Sequence, residues 1–239
     1  MARPFLTAQW RYLAMLNYEV DPAVLAGLVP KGTLLDDERG RHYISLIGFL
    51  FLDTHIFGLP AVFHENFEEV NLRFYVRREL PHESRHGVVF IREIVSLPLV
   101  AETAKLTYNE PYVTAPTQHT LIRTAGELQS VEYSFGEPTR SCRLTLHVDG
   151  SPVELPAGSH EEFISDRPCG FTRQRDGGTI EYAVDHPRWN VWREARWEVD
   201  GPLGDFYRDP FSSILSGTPA SAFVAEGSAV AVHLPQRIA

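Results

Sequence analysis

Within the stretch Phe67 to Arg78, residues 69–76 alternate strictly in polarity. Val70, Leu72, Phe74 and Val76 fall on one parity, and Glu69, Asn71, Arg73 and Tyr75 on the other. A period of two marks a β-strand with two chemically different faces, successive members of one row standing about 6.6 Å apart. The apolar face needs a core. The polar face has two settings open to it: bulk solvent, as on many antiparallel sheets, or a hollow enclosed by a sheet that closes into a barrel or cone. In the second setting one strand presents an acid, an amide, a guanidinium and a phenol to a single small ligand.

The next strand, Gly87 to Leu97, carries Glu93 in the row Val89, Ile91, Val95 and Leu97, with Arg92 on the opposite face. An isolated ionised carboxylate is expensive to bury, so Glu93 is either paired with an arginine, fixing strand register, or held protonated as an acid.

The rest of the chain reads the same way. Trp10, Tyr12, Ala14, Leu16, Tyr18 and Val20 occupy alternate positions of an opening strand, and His42 to Asp53 is apolar on both faces. Further strands are expected at Glu127 to Phe135, Arg140 to Val148, Gly170 to Arg175, Thr179 to Asp185, Trp189 to Val199 and Ser228 to Leu234, two of them joined by the turn Asp176-Gly177-Gly178. Three short helices are signalled: one after the cap Asp21-Pro22, one from Pro98 to Tyr108 that Pro111 closes, and one behind the capping pair Ser159 and Glu162. Lys105 and Tyr108, at i and i+3, share a face of the second helix. Roughly ten strands without a Pro/Gly/Ser-rich linker or a repeat describe one antiparallel, β-rich domain over residues 1–239, mainly β with a few helices.

Composition narrows the function. Lys plus Arg number 22 against 31 for Asp plus Glu, and the net charge of −9 disfavours a polyanionic partner such as nucleic acid. The longest near-continuous apolar run, Tyr43 to Leu52, is half of what a membrane-crossing helix needs, roughly 20 residues, and no export signal opens the chain, so no membrane association and a cytoplasmic location are expected. Cys142 and Cys169, the only cysteines, read as reduced core thiols. Phosphate-loop, dinucleotide, zinc-protease and α/β-hydrolase motifs are missing. Asp53, His55, His64, Glu65 and Glu68 lie close in sequence, but their spacing is too loose for a fixed metal geometry, and they read as solvated loop polars; no metal and no cofactor is expected. Lys31 and Lys105 are the only lysines. Lys31 sits in the turn Pro30-Lys31-Gly32, so imine chemistry would fall to Lys105, which reads as a lysine reaching out from a helix face.

Several stretches together resemble the YqjF-like family, a bacterial domain of unknown function: Phe67-Glu68-Glu69-Val70-Asn71-Leu72-Arg73-Phe74-Tyr75-Val76, Tyr108-Asn109-Glu110-Pro111-Tyr112, Val20-Asp21-Pro22 with Leu28-Val29-Pro30, and His186-Pro187-Arg188-Trp189. The resemblance runs over nearly the whole chain. It implies the acetoacetate-decarboxylase-like fold, a closed antiparallel β cone with a few helices, and with it the enclosed setting for the Glu69 row. The decarboxylases of that fold carry an Arg-Glu-Ile strand followed by a proline and a lysine pair. Here Arg92-Glu93-Ile94-Val95-Ser96-Leu97-Pro98 matches the lead-in, but Leu99 and Val100 stand where the lysines would be. The resemblance therefore implies a retained pocket, with Glu69, Arg92 and Glu93 at the positions of pocket residues, and a lost nucleophile.

Two functions follow as expectations. One is an enzyme acting on a small carboxylic or keto acid, with Glu69 or Glu93 as acid or base and Arg73 or Arg92 holding a carboxylate or enolate. Asn71, Tyr75, Lys105, Tyr108 and Tyr112 complete the expected ligand contacts. The other is a binding or sensing protein with the same pocket and no turnover. A purely structural protein would instead turn the Glu69 row outward. The expected partner is a small, anionic molecule; self-association into a homo-oligomer is compatible with the sequence.

Overall fold

A computed structural model describes residues 4–62 and 64–239. Its elements run β1 (Leu6–Val20), α1 (Pro22–Leu25), β2 (Leu34–Leu35), β3 (His42–Ile56), β4 (Leu59–Pro60), β5 (Phe67–Glu79), β6 (Ser84–Val95), α2 (Pro98–Tyr108) and β7 (Tyr112–Thr114). There follow β8 (Thr117–Thr124), β9 (Glu127–Glu137), β10 (Arg140–His147), α3 (His160–Ser165), β11 (Cys169–Arg173) and β12 (Thr179–Asp185). The chain finishes with β13 (Val191–Trp192), β14 (Arg196–Asp200), α4 (Phe211–Leu215), β15 (Ser221–Val232) and β16 (Gln236–Arg237). The mainly β expectation holds.

The long strands form a ring in the order β15, β1, β3, β5, β6, β11, β12, which returns to β15 through Val184 opposite Val232 and Asp185 opposite Ala231. Six of its seven pairings are antiparallel. The exception is β6 with β11, a parallel join in which Cys169 faces Gly87 and Gly170 faces Val88. A separate four-stranded sheet, β14-β10-β9-β8, covers part of the outside. Leu128, Val131, Tyr133, Phe135, Leu144 and Leu146 of that cover pack with Leu46, Val70, Leu72 and Phe74 of the ring in one buried cluster. The apolar row of β5 is thus consumed by the core between the layers, and the Glu69 row must face the interior of the ring.

Beside the ring stands a second sheet, because β8 to β10 form an antiparallel meander outside a ring that is already complete. Some element bounds are corrected. The segment expected as one strand from Trp189 to Val199 is two, β13 pairing with β15 of the ring and β14 with β10 of the cover, since the chain leaves one layer for the other at Arg193 to Ala195. Helix α4 and strand β8 were not signalled. The caps behave as read: Asp21 accepts from the Ala23 amide, and Ser159 from that of Glu162. Both cysteines are free and buried.

Two bulges decide which side chains enter the ring. On β6, Leu72 is opposite Arg92 and Arg73 opposite Phe90, leaving Ile91 as an extra residue. The row read as Val89, Ile91, Glu93, Val95 is therefore broken: Val89 belongs to the outer core with Phe74, whereas Glu93 swings inward beside Asn71. On β1, the register slips between Arg11 and Ala14, where Tyr12 takes a φ of 53°. Ala14, Leu16 and Tyr18 face the outer core, while Trp10, Leu13 and Met15 face inward. The Tyr12 carbonyl freed by this slip accepts from the Tyr133 hydroxyl at 2.8 Å. Gly227, at φ 82°, lies opposite Arg11, and a Cβ there would run into the Trp10 carbonyl.

Candidate functional site

The ring encloses a cavity of about 400 Å³, within the usual size for a small-molecule site. Strand register sorts its walls. From β1 and β3 come the largely apolar Trp10, Leu13, Ile47, Phe49 and Phe51, together with Thr54. From β5 and β6 come Glu69, Asn71, Arg73 and Glu93, with Asn71 and Glu93 directly opposite one another. Tyr182 from β12, Glu110 and Tyr112 from the segment after α2, and Tyr108 from α2 itself complete the polar side.

The polar groups are only partly satisfied. Glu69 accepts from Asn71 Nδ2 at 3.0 Å and from the Tyr112 hydroxyl at 2.8 Å. Glu110 accepts, on one oxygen, from the Thr172 hydroxyl at 2.5 Å and the Tyr182 hydroxyl at 2.9 Å. The Arg73 guanidinium donates to the Ile164 carbonyl at 2.9 Å. Among the described residues, ten buried side-chain polar atoms have no hydrogen-bond partner, and six belong to residues lining this cavity: Trp10 Nε1, Thr54 Oγ1, Asn71 Oδ1, Arg73 Nε, Glu93 Oε2 and Glu110 Oε2. Buried polar atoms are nearly always paired, so such a concentration calls for a partner in the cavity.

Three carboxyl groups share this dry space. Burial pushes Glu69 and Glu110 up to about 7, from an ordinary 4.5, against the pull of their hydrogen-bond donors. Glu93, 2% exposed, is held well above the usual carboxylate range by burial and by the charges of Glu110 and Glu69. Acids that cannot all ionise together form a proton reservoir at neutral pH. The expected arginine partner of Glu93 is not there.

The other expected contacts divide. Tyr108 lines the cavity, its hydroxyl donating to the His233 carbonyl at 3.1 Å, and Tyr112 is the donor already described. Three candidates do not line it. Arg92 is opposite Leu72 and so points to the outer face, because Ile91 takes up one residue of the alternation. Tyr75 is 1% exposed, meets Ser45 at 2.5 Å and lies with its ring 5.7 Å from the Arg73 guanidinium, packed beneath the site rather than on its wall. Lys105 is paired with Glu102 at 2.7 Å on the far side of α2. The loose set from Asp53 to Glu68 disperses: Glu68 is taken by His119 and Thr117, and no three His, Cys, Asp or Glu among the described residues gather as a metal would require.

Sequence reasoning missed Glu110, Tyr182, Arg167 and Trp10. Tyr182 had a usable signal, the alternation Ile180, Tyr182, Val184; its neighbour Gly170 makes the room, since a Cβ there would overlap the tyrosine ring. Glu110 had none, being turned inward after Asn109 adopts φ 58° at the end of α2. Arg167 also lines the cavity but is held by Asp36 at 2.5 Å.

Comparison with known proteins agrees with the geometry. The family described as DUF2071, uncharacterized conserved protein, matches residues 7–229. Uncharacterized protein YqjF of Bacillus subtilis (strain 168) is 21% identical over 183 residues, covering 74% of this chain and 72% of YqjF. Among solved structures, acetoacetate decarboxylase of Legionella pneumophila superposes with a TM-score of 0.67 at 13% identity, over 100% of this chain and 88% of that one. An acetoacetate decarboxylase-like enzyme from Sphingomonas wittichii RW1 gives 0.68 at 14% identity, over 100% and 94%. The enduracididine biosynthesis enzyme MppR complexed with pyruvate gives 0.67 at 13%, over 100% and 92%. The acetoacetate-decarboxylase-like fold is shared with all three.

Proposed function

The chain belongs to the DUF2071 family of uncharacterized conserved proteins, and on that premise we propose that its cavity takes a small carboxylic or keto acid and acts on it by acid and base chemistry without a covalent amine. The observation that carries this reading is the pair of unpartnered atoms Arg73 Nε and Glu93 Oε2, carried by adjacent strands and lining the same hollow. A carboxylate or enolate oxygen placed between them receives a charged donor from Arg73 and a proton from Glu93. Glu69, held by Asn71 and Tyr112 and titrating near neutrality, is the base. In the step proposed, a C–H bond beside the carbonyl breaks, its proton passes to Glu69, and the Glu93 proton passes to the oxygen as the enol forms. Pyruvate, the ligand in the MppR complex, is a 2-keto acid of this class. Neither lysine lies on the cavity wall, which is why the imine route is left out.

Thermal shift with small keto and carboxylic acids tests binding, and exchange of the ligand's carbon-bound protons with deuterium tests the step. Glu69→Gln and Glu93→Gln should bind and not exchange. Absence of a thermal shift with every acid overturns the reading. Binding without exchange in the wild type leaves a sensing protein, a second reading favoured by the fact that both Glu69 oxygens are already engaged. No described helix is long and apolar enough to cross a membrane.

A further inference from the structure

A three-carbon keto acid has six heavy atoms and, at roughly 30 Å³ each by the measure of liquid water, needs about 180 Å³. The cavity offers about 400 Å³. The remainder is not a second polar site. It is bounded by the β1 and β3 wall, where Phe51 stacks on Phe67 at 4.6 Å and 11°, and Trp10 stands edge-on to Phe49 at 5.3 Å and to Phe51 at 5.6 Å. Ile47 and Leu13 continue this wall, and Phe90 adds a ring from β6. Water gains little in such a space, whereas an apolar group gains both desolvation and edge-to-face ring contacts.

The charges stand on one side only. Glu69, Asn71 and Arg73 follow Phe67 along alternate positions of β5, and their cross-strand neighbours on β3 are Phe49 opposite Glu69 and Ile47 opposite Asn71. A ligand lying across the ring from β5 to β1 therefore meets the acids, amide and guanidinium at one end and, at the other, rings among which Trp10 Nε1 and Thr54 Oγ1 are the unpartnered polar atoms.

Resting on the acid-binding reading above, we infer that the ligand is an amphipathic acid: its carboxyl or keto head meets Arg73 and Glu93, and an aryl or branched alkyl tail of roughly six to nine carbons fills the wall of Trp10, Ile47, Phe49 and Phe51. The chain is then built for an aryl- or alkyl-substituted keto acid in preference to a three- or four-carbon one.

Calorimetric titration of the purified protein at one pH compares pyruvate, straight-chain 2-oxo acids of four to eight carbons, phenylpyruvate, and ethylbenzene as a tail without a head. The expected result is affinity rising along the chain series and phenylpyruvate binding at least about tenfold tighter than pyruvate. In Phe49→Ala the ratio of phenylpyruvate to pyruvate affinity should fall toward one. Equal affinity across the series, or ethylbenzene matching phenylpyruvate, overturns the inference while leaving, in the first case, the acid-binding reading intact. Failure of every acid to bind removes that reading and this inference together, and the wild-type series decides the matter even if the variant does not fold.

Discussion

Asn71 and Glu93 stand directly opposite each other on adjacent strands, an amide facing an acid across the floor of the cavity. They meet only because Ile91 is an extra residue; without that bulge Glu93 would point with Val89 into the core between the two sheets.

The first prediction concerns Glu93 itself. Its buried carboxyl has one oxygen without a partner and keeps its proton when folded, whereas the unfolded chain releases that proton at pH 8; an amide of the same shape has none to release. Glu93→Gln should be more stable than wild type at pH 8, by about 1–2 kcal/mol, while losing any turnover. A lower melting point at pH 8 would show that the carboxylate is better paired than its surroundings indicate.

The pH dependence has a definite sign. Glu69 and Glu110 titrate at about 7 when folded, against an ordinary 4.5, so the folded protein keeps protons that the unfolded chain releases between those values. The stability they contribute is full below about pH 4.5 and is lost as pH rises toward 7, by up to roughly 3 kcal/mol per group. Urea unfolding at half-unit steps should show this decline, and Glu110→Gln, which keeps the acceptor for Thr172 and Tyr182, should flatten it.

Gly170→Ala tests the wall at β12. The added methyl displaces the Tyr182 ring and breaks its hydrogen bond to Glu110. A loss of about 1–3 kcal/mol is expected, together with weaker ligand binding; full stability with unchanged binding would mean that Tyr182 is free to move aside.

Arg73→Gln removes the cavity's unpaired guanidinium nitrogen. Affinity for any acid should fall about tenfold to a hundredfold, the range for a hydrogen bond to a charged partner. Calorimetry on the same acids reads it directly.

Lys105 is paired with Glu102 away from the cavity. Borohydride treatment in the presence of a keto acid should leave the intact mass unchanged, and Lys105→Arg should bind acids as wild type does. A reduced adduct on Lys105 would restore the imine route.

The Glu69 row was legible in sequence because β5 is unbroken: each of Glu69, Asn71 and Arg73 keeps its parity, and the apolar row had to find a core. Glu93 was singled out for the right reason, a carboxylate among apolar neighbours, yet on the wrong row, since a bulge inserts a residue without any side-chain signature. Arg92 was misplaced by the same slip. Trp10 was lost likewise at Tyr12. Lys105 and Tyr108 were expected to share a face of α2 and both to meet the ligand, yet only Tyr108 reaches the hollow; how α2 lies over the ring is not encoded in helical spacing. Glu110 depends on the left-handed Asn109 at the end of α2, and Arg167 on an ion pair with Asp36, a contact between distant parts of the chain that no local pattern announces.

The ring closes through β15, which pairs with β1 along most of its length and meets β12 at Val232 and Ala231. During synthesis on the ribosome, Leu6 to Val20 therefore waits for a partner more than two hundred residues downstream, and its edge stays open until then. The hollow does not exist in a nascent chain that ends before β15. A truncation that removes β15 should therefore yield an aggregating polypeptide rather than a smaller working one.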